Sequence, residues 1–138
     1  MRWYVLGEGK LRGALERQIE ACGLKKDFVL LGAVENPYPY FREADVYVHA
    51  TRYEGKSIAL QEAQVLGCAV VASDCSGNRE QVADGRDGIL CELTPRAIAE
   101  SIGALVEKEE MRKALGRAAR EKKQFQEQAM MLLKELFA

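Results

Sequence analysis

Before residue 95, short continuous apolar runs alternate with stretches whose apolar positions recur at helical spacing. Runs of four or five residues rich in β-branched and aromatic side chains are typical of strands. They predict strands at residues 3–6, 28–31, 45–49, 69–72 and 88–91. Helical spacing predicts helices between them at residues 10–22, 40–44, 58–66 and 78–83. After residue 95 the spacing is helical throughout and predicts helices at 95–106, 109–122 and 125–137.

The order of these elements predicts the fold class. Strands that alternate with helices through short links are typical of an α/β domain. We therefore expect a Rossmann-like parallel β-sheet flanked by helices, followed by a helical C-terminus. Asn78 is expected to cap the helix that follows the fourth strand. The first helix is expected to bury an apolar stripe formed by Leu11, Ala14, Leu15, Gln18 and Ile19.

Composition narrows the class of protein. The chain has 138 residues, of which 48% are hydrophobic and 30% charged, with a formal net charge of −1. This length suits one domain, and the near-neutral charge gives no reason to expect a nucleic-acid partner. Its apolar runs are shorter than a membrane-spanning helix needs, so we expect no transmembrane segment and a cytoplasmic location. The four cysteines have no zinc-site spacing, and no metal is expected.

The segment at residues 51–63 carries the strongest chemical signal. It leaves the predicted carboxyl end of a strand, turns at Gly55 and enters a helix at Ser57, a plausible N-cap. Ligands of open α/β sheets bind at this edge. Because the first amides of a helix have no partner within it and lie at its positive end, they favour an anion. A phosphate group is the ligand expected at this position.

Two glutamates bracket this helix start. Glu54 lies three residues before Ser57, and Glu62 falls beside Ile58 on the face predicted to be apolar. An unpaired carboxylate on such a face is unfavourable, so Glu62 must find hydrogen-bond donors. Ribose hydroxyls could supply them, and so could a nearby arginine or backbone amides. The residues alone leave both interpretations open. His49, at the end of the preceding strand, is expected to be structural.

The spacing of these glutamates also resembles a known family. Glu54 and Glu62 match the E-x7-E motif of retaining glycosyltransferases of the GT-B fold, especially glycosyltransferase family 4 (glycosyl transferases group 1). The resemblance extends over about residues 3–125. It includes the segments at residues 7–9, 44–48, 70–74 and 76–80.

This resemblance implies roles for particular residues. Glu54 would be the catalytic residue near the transferred sugar, and Glu62 would hydrogen-bond the ribose. The loop after the second strand would lie against the base through Ala33 and Val34. The diphosphate would be held by backbone amides of Gly55, Lys56, Ser57 and Ile58. No cofactor and no metal is implied.

The resemblance further implies that residues 1–138 are part of a C-terminal, donor-binding domain. The first strand–helix unit and an N-terminal acceptor domain would be absent, and the chain alone would be inactive. The full enzyme would transfer a sugar from a nucleoside diphosphate sugar to a saccharide or lipid-linked acceptor with retention, as in polysaccharide biosynthesis. A lipid-linked acceptor is compatible with peripheral membrane association of that enzyme. Two alternatives are a stand-alone nucleotide-binding module and a GT-B-like sugar-nucleotide epimerase.

Overall fold

The computed structural model describes residues 1–136, and the chain divides into two compact units at Pro39 and Tyr40. The strands are β1 (Trp3–Leu6), β2 (Phe28–Gly32), β3 (Val46–His49), β4 (Ala69–Ser73) and β5 (Ile89–Cys91). The helices are α1 (Arg12–Ala21), α2 (Tyr38–Glu43), α3 (Ile58–Val65), α4 (Ser76–Gln81), α5 (Pro95–Glu107) and α6 (Glu109–Leu136). The predicted α/β class is confirmed.

The first unit is a parallel pair of strands joined through α1. β1 lies beside β2 with Trp3 opposite Phe28, and the two rings stack at 5.5 Å between centroids. The prediction that α1 buries an apolar stripe is wrong, because α1 contains no buried residue and Leu11 is 71% exposed. Two strands about 4.8 Å apart present too narrow an apolar face to cover a helix. Arg12 links α1 to the rest of the unit instead, because its guanidinium pairs with Glu8 and donates to the carbonyl of Leu30 in β2 at 3.4 Å.

The second unit contains a three-stranded parallel sheet in the order β3-β4-β5. β4 is central, and all five of its residues are buried, as its continuous apolar sequence predicts. The crossovers run through α3 and α4. The core of this unit forms where these helices and their links meet the sheet, and it contains Leu60, Val70, Ala72 and Val82.

The C-terminal segment differs from the prediction because α6 is one helix through Leu136, not two helices separated near residue 123. Residues 121–128 contain no glycine or proline, and most of them favour helix, so nothing in the sequence ends the helix there. α6 packs against α3, β4 and α5. Gly116 lies so close to the carbonyl of Gly67 that a Cβ would overlap it, and this approach fixes how α6 lies along α3.

Asn78 does not cap α4, contrary to the prediction. The helix begins at Ser76 after Cys75, and Asn78 lies fully buried inside it. Its side-chain Nδ2 donates to the carbonyl of Ser73 at 2.8 Å. The amide of Asn78 is therefore used at the end of β4, where a buried carbonyl needs a donor, rather than at the start of its own helix.

The buried thiol of Cys68 is expected to make the folded chain less stable at alkaline pH. Cys68 is 2% exposed and donates to the carbonyl of Phe41 at 3.0 Å, and burial raises its pKa from 9.0 to about 11. Folding therefore favours the neutral thiol, a contribution that is full below pH 9 and is lost as the pH rises through 11. In the wild type the thiol should lower the free energy of unfolding by roughly 2 kcal/mol across this pH range, and in Cys68→Ala this part of the fall should be absent.

The measurement is urea unfolding at pH 8.5, 9.5, 10.5 and 11. Cys22→Ala, which removes an exposed free thiol, is the matched control and should retain the wild-type pH dependence. A Cys68→Ala chain with the same alkaline slope as the wild type would show that burial of this thiol contributes nothing.

Candidate functional site

The loop between β3 and α3 leads to a helix start with unpaired amides. Ser57 is the N-cap of α3, as predicted, and its Oγ accepts a hydrogen bond from the amide of Leu60 at 3.2 Å. Within residues 1–136, the amides of Ile58 and Ala59 donate to no protein acceptor. Because these groups lie at the positive end of the helix, the position favours a bound anion.

Gln81 fixes the N-cap from the side of α4. With its amide oriented to satisfy both atoms, Gln81 donates to the carbonyl of Ser57 at 3.1 Å and accepts from the amide of Ser57 at 2.8 Å. The amide of Ser57, predicted to hold a diphosphate, is thus already engaged. The predicted amides of Gly55, Lys56 and Ile58 donate to no acceptor in the described part of the chain.

Glu54 is held by a hydrogen-bonded chain that begins in β3. Its Oε2 lies 3.1 Å from Nε2 of His49, whose Nδ1 lies 3.2 Å from the hydroxyl of Tyr47. An ionised carboxylate only accepts, so we assign the ring proton of His49 to Nε2, and Nδ1 then accepts from Tyr47. The tyrosine orients the imidazole, and the imidazole orients the carboxylate of Glu54.

The raised pKa of Tyr47 supports this assignment. Burial raises it from 10.0 to about 12, and the negative charges of Cys68, Glu54 and Glu62 add to the rise. Tyr47 therefore keeps its proton at neutral pH and can donate it. Glu54 lies in the loop that follows β3, and Glu62 lies in α3 after the N-cap, so both belong to the segment that follows the carboxyl end of this strand.

The face of α3 that was predicted to be buried is not the buried one, and the observed orientation leaves Glu62 accessible to a ligand. The face of this helix that is buried contains Leu60, Ala63 and Gln64 rather than the face with Ile58 and Glu62. Ile58 is 72% exposed, and Glu62 is half-buried. The apolar residues of α3 are spread around the helix, with Gln61, Glu62 and Gln64 between them, so its sequence pattern does not identify the packed face. Glu62 is therefore accessible from solvent and is not enclosed in the core.

The loop that carries Glu54 is supported from behind by β4 and α4. Ser73 Oγ accepts from the amide of Thr51 at 3.0 Å and donates to its carbonyl. A Cβ on Gly77 would overlap the carbonyl oxygens of Glu54 and Gly55. The backbone around the candidate site is thus held in place by a close approach that only glycine allows.

The remaining predicted residues are placed as follows. Lys56 and Gly55 are exposed in the loop before α3. Ala33 and Val34 follow β2 in the first unit, where Ala33 is exposed and Val34 half-buried. Their contact with a base stays a prediction. Glu54, Glu62 and the start of α3 all lie in the second unit, within the loop and helix that follow β3.

Sequence reasoning missed the support that His49 and Tyr47 give to Glu54. The signal was present, because residues two apart on a strand share one face, and Tyr47 and His49 both lie in β3, which ends just before the loop. The contribution of Gln81 had no local signal. Its contact with Ser57 joins residues that are far apart in sequence, and only the fold brings them together.

The part of the chain that the structure describes contains no group of three or more His, Cys, Asp or Glu side chains arranged to hold a metal ion. Independence of metals and cofactors stays a prediction. The loop before α3 and the helix itself supply two glutamates, Lys56 and the partial charges of the unpaired α3 amides.

Comparison with known sequences identifies relatives. The model of the family "Glycosyl transferases group 1" matches residues 1–122. A Campylobacter jejuni N-acetylgalactosamine-N,N'-diacetylbacillosaminyl-diphospho-undecaprenol 4-alpha-N-acetylgalactosaminyltransferase is 33% identical over 116 residues, which are 83% of this chain and 32% of that protein. An Escherichia coli UDP-Gal:alpha-D-GlcNAc-diphosphoundecaprenol alpha-1,3-galactosyltransferase is 33% identical over 74% of this chain and 26% of its own length.

Solved structures show the same fold. Anabaena Alr3699/HepE, solved in complex with UDP, matches 97% of this chain and 41% of its own with a TM-score of 0.85 at 21% identity. The Staphylococcus aureus TarM G117R mutant, solved with UDP among its ligands, matches 88% of this chain and 25% of its own with a TM-score of 0.83 at 26% identity. The Rossmann-like α/β fold is thus that of GT-B glycosyltransferases.

The chain spans about a third or less of the length of these curated relatives. The family model covers most of the chain, including β1 to β5 and the whole segment with Glu54 and Glu62. The chain belongs to the glycosyl transferases group 1 family.

Proposed function

We propose that this chain is the donor-binding part of a retaining glycosyltransferase of family 4, and that it corresponds to most of the C-terminal domain. In the whole enzyme a sugar would pass from a nucleoside diphosphate sugar to a saccharide or lipid-linked acceptor. The observation that carries the proposal is the start of α3, where the amides of Gly55, Lys56 and Ile58 are unpaired and the loop and helix supply Glu54 before the N-cap and Glu62 after it. Together they form a site with hydrogen-bond acceptors for hydroxyls and donors for phosphate.

Each group has a chemical role in the proposal. The amides of Gly55, Lys56 and Ile58 stabilise the diphosphate, whose negative charge grows as the glycosidic bond to the sugar breaks. Glu62 accepts hydrogen bonds from the ribose hydroxyls. Glu54 accepts from the hydroxyls of the transferred sugar, and His49 positions its carboxylate. Ala33 and Val34 contact the base.

The relatives support the acceptor class in this proposal. Both curated relatives are named for transfer to sugars on a diphospho-undecaprenol carrier. We propose the same class of lipid-linked or saccharide acceptor here, bound by parts of the protein outside this chain, and a role in polysaccharide biosynthesis. None of the helices within residues 1–136 is long and apolar enough to cross a membrane. A cytoplasmic location with peripheral membrane association is part of the proposal.

Glu54→Gln tests the role of the sugar contact. We expect it to weaken binding of the preferred nucleoside diphosphate sugar about tenfold and to leave the nucleoside diphosphate unchanged, because the lost charge faces only the sugar. Calorimetric titration of the chain with UDP, GDP, ADP and their glucose and N-acetylglucosamine conjugates measures both affinities.

Glu80→Gln is the matched control, since it neutralises an exposed carboxylate on α4. Equal affinities of Glu54→Gln and wild type for the nucleotide sugar would contradict the assignment of Glu54. Nucleotide binding that shows no dependence on a sugar at all would favour a nucleotide-binding module without transfer.

A further inference from the structure

Within residues 1–136, the protein uses one oxygen of the Glu54 carboxylate and leaves the other unpaired. Oε2 lies 3.1 Å from Nε2 of His49, whereas Oε1 accepts no hydrogen bond from this part of the chain. The side chain of Glu54 is 30% exposed, and that of His49 is 15% exposed. His49 thus occupies one oxygen, and the other remains available to a donor from outside the chain.

Tyr47, whose hydroxyl orients His49, is anchored in the core of the second unit. Its ring meets the ring of Phe41 edge to face, with centroids 5.3 Å apart and planes at 76°. It also lies nearly parallel to the imidazole of His49, with centroids 6.0 Å apart and planes at 21°. Tyr47 packs against the core residues around Leu60 and around Ala63. Because these contacts fix the ring, they also fix the hydroxyl that contacts His49.

This arrangement orients Glu54 without neutralising it. Because Nδ1 of His49 accepts from Tyr47, that nitrogen has no proton and the ring in this arrangement has no charge. A lysine or arginine at the same place would bring a positive charge to the carboxylate. With a neutral donor the carboxylate keeps its negative charge, and hydrogen bonds to a charged acceptor are roughly twice as strong as those between neutral groups.

We propose that Tyr47 and His49 are positioning residues that make the site prefer a nucleotide sugar to the free nucleotide, because they hold Glu54 in the orientation in which Oε1 accepts from the sugar hydroxyls. The proposal rests on the proposed function and deepens it, since it assigns sugar discrimination to a strand residue, Tyr47, that does not touch the ligand. A carboxylate that is already fixed loses less conformational entropy when the ligand binds.

Two substitutions of His49 separate its two contacts. The amide nitrogen of glutamine can take the place of Nε2, whereas asparagine is shorter and ends near the position of Nδ1. We expect His49→Asn to weaken binding of the preferred nucleoside diphosphate sugar about fivefold and to leave the nucleoside diphosphate unchanged. His49→Gln should bind both ligands within about twofold of the wild type, as glutamine preserves a neutral donor to Glu54.

Tyr47→Phe tests the more distant residue. It should weaken binding of the sugar conjugate alone, by about threefold, because the imidazole loses the hydroxyl that orients it. Tyr4→Phe, which removes a hydroxyl from β1 in the first unit, is the matched control and should bind as the wild type does. Calorimetric titration with UDP, GDP, ADP and their glucose and N-acetylglucosamine conjugates measures all these affinities.

A double-mutant cycle shows whether His49 acts through Glu54. In a Glu54→Ala background, His49→Asn should change the affinity for the nucleotide sugar by less than about twofold. His49 is the single histidine of the sequence, so a long-range ¹H–¹⁵N spectrum reports its tautomer without overlap. We expect the proton on Nε2 in the wild type, and a proton on Nδ1 would overturn the inference.

The remaining outcomes separate the inference from the proposed function. Equal weakening of the nucleotide and its sugar conjugate in His49→Asn, or the same fivefold loss in the Glu54→Ala background, would make His49 a structural residue. Wild-type affinity of His49→Asn for the nucleotide sugar would likewise overturn the inference, and in each case the proposed function would stand. If the wild-type chain bound none of these ligands at millimolar concentration, the proposed function would fail and this inference with it.

Discussion

Replacement of Gly77 by alanine is expected to destabilise the chain by about 3 kcal/mol and to displace the loop that carries Glu54. A Cβ at this position would overlap two backbone oxygens, those of Glu54 and Gly55. Backbone atoms cannot move aside as the end of a flexible side chain can. The loop must therefore shift, and the hydrogen bond between Glu54 and His49 should lengthen or break.

Urea unfolding and nucleotide-sugar titration measure the two parts of this prediction. Gly103→Ala is the matched control, because Gly103 lies inside α5 with nothing near its added Cβ. Alanine there should stabilise the helix by about 0.5–1 kcal/mol. A Gly77→Ala chain as stable as the wild type, with unchanged nucleotide-sugar affinity, would show that α4 does not support the loop as described.

Glu62→Ala is expected to weaken binding of the preferred nucleoside diphosphate by about tenfold to a hundredfold. A hydrogen bond to a charged acceptor contributes about 1.5–3 kcal/mol, and the ribose hydroxyls are the donors proposed for this carboxylate. The loss should be equal for the nucleoside diphosphate and for its sugar conjugate, since both contain the ribose. This pattern distinguishes Glu62 from Glu54, whose substitution should affect the sugar conjugate alone.

The corresponding 2′-deoxynucleotide provides a second readout, since it lacks one of the hydroxyls. Wild type and Glu62→Ala should differ less for the deoxynucleotide than for the ribonucleotide. Glu43→Ala, which removes an exposed carboxylate from α2, is the control variant. If Glu62→Ala unfolded at lower urea concentration but bound nucleotides as the wild type does, Glu62 would be a structural residue.

The local pattern of the sequence was sufficient for the strands and for the start of α3. Strands β1 to β5 lie where apolar runs predict them, and Ser57 caps α3 as its residue type and position indicate. These features depend on neighbouring residues, such as Gly67 at the end of α3, whose φ of 81° suits glycine. The E-x7-E spacing can likewise be recognised from the short segment that contains it.

Features that depend on distant contacts could not be predicted. The packed face of α3 is decided by β4 and α6, because its own apolar residues are spread around the helix and mark no single face. The expected burial along α1 failed because its unit offers few strands to cover it. The burial of the Lys123 side chain could not be predicted either, because a lysine in a charged helix gives no sign that packing will enclose it.

The candidate site combines a local sequence motif with contacts between residues that are distant in the sequence. The motif supplies Glu54, Glu62 and a helix start, all within one segment. Residues from elsewhere in the second unit then fix their geometry: His49 contacts the first glutamate, Gln81 brackets the N-cap and Gly77 supports the loop. Substitutions in this supporting set should therefore alter nucleotide affinity without any contact to the ligand.

The central claim is that the start of α3 binds a nucleoside diphosphate. An amide-resolved NMR titration of the chain with UDP, GDP, ADP and their sugar conjugates tests it most directly. The account predicts saturable shifts for one base, centred on Gly55, Lys56, Ile58 and Glu62, that are weakened in Glu62→Ala. Shifts that cluster elsewhere on the chain, or an absence of shifts at millimolar ligand, would contradict it.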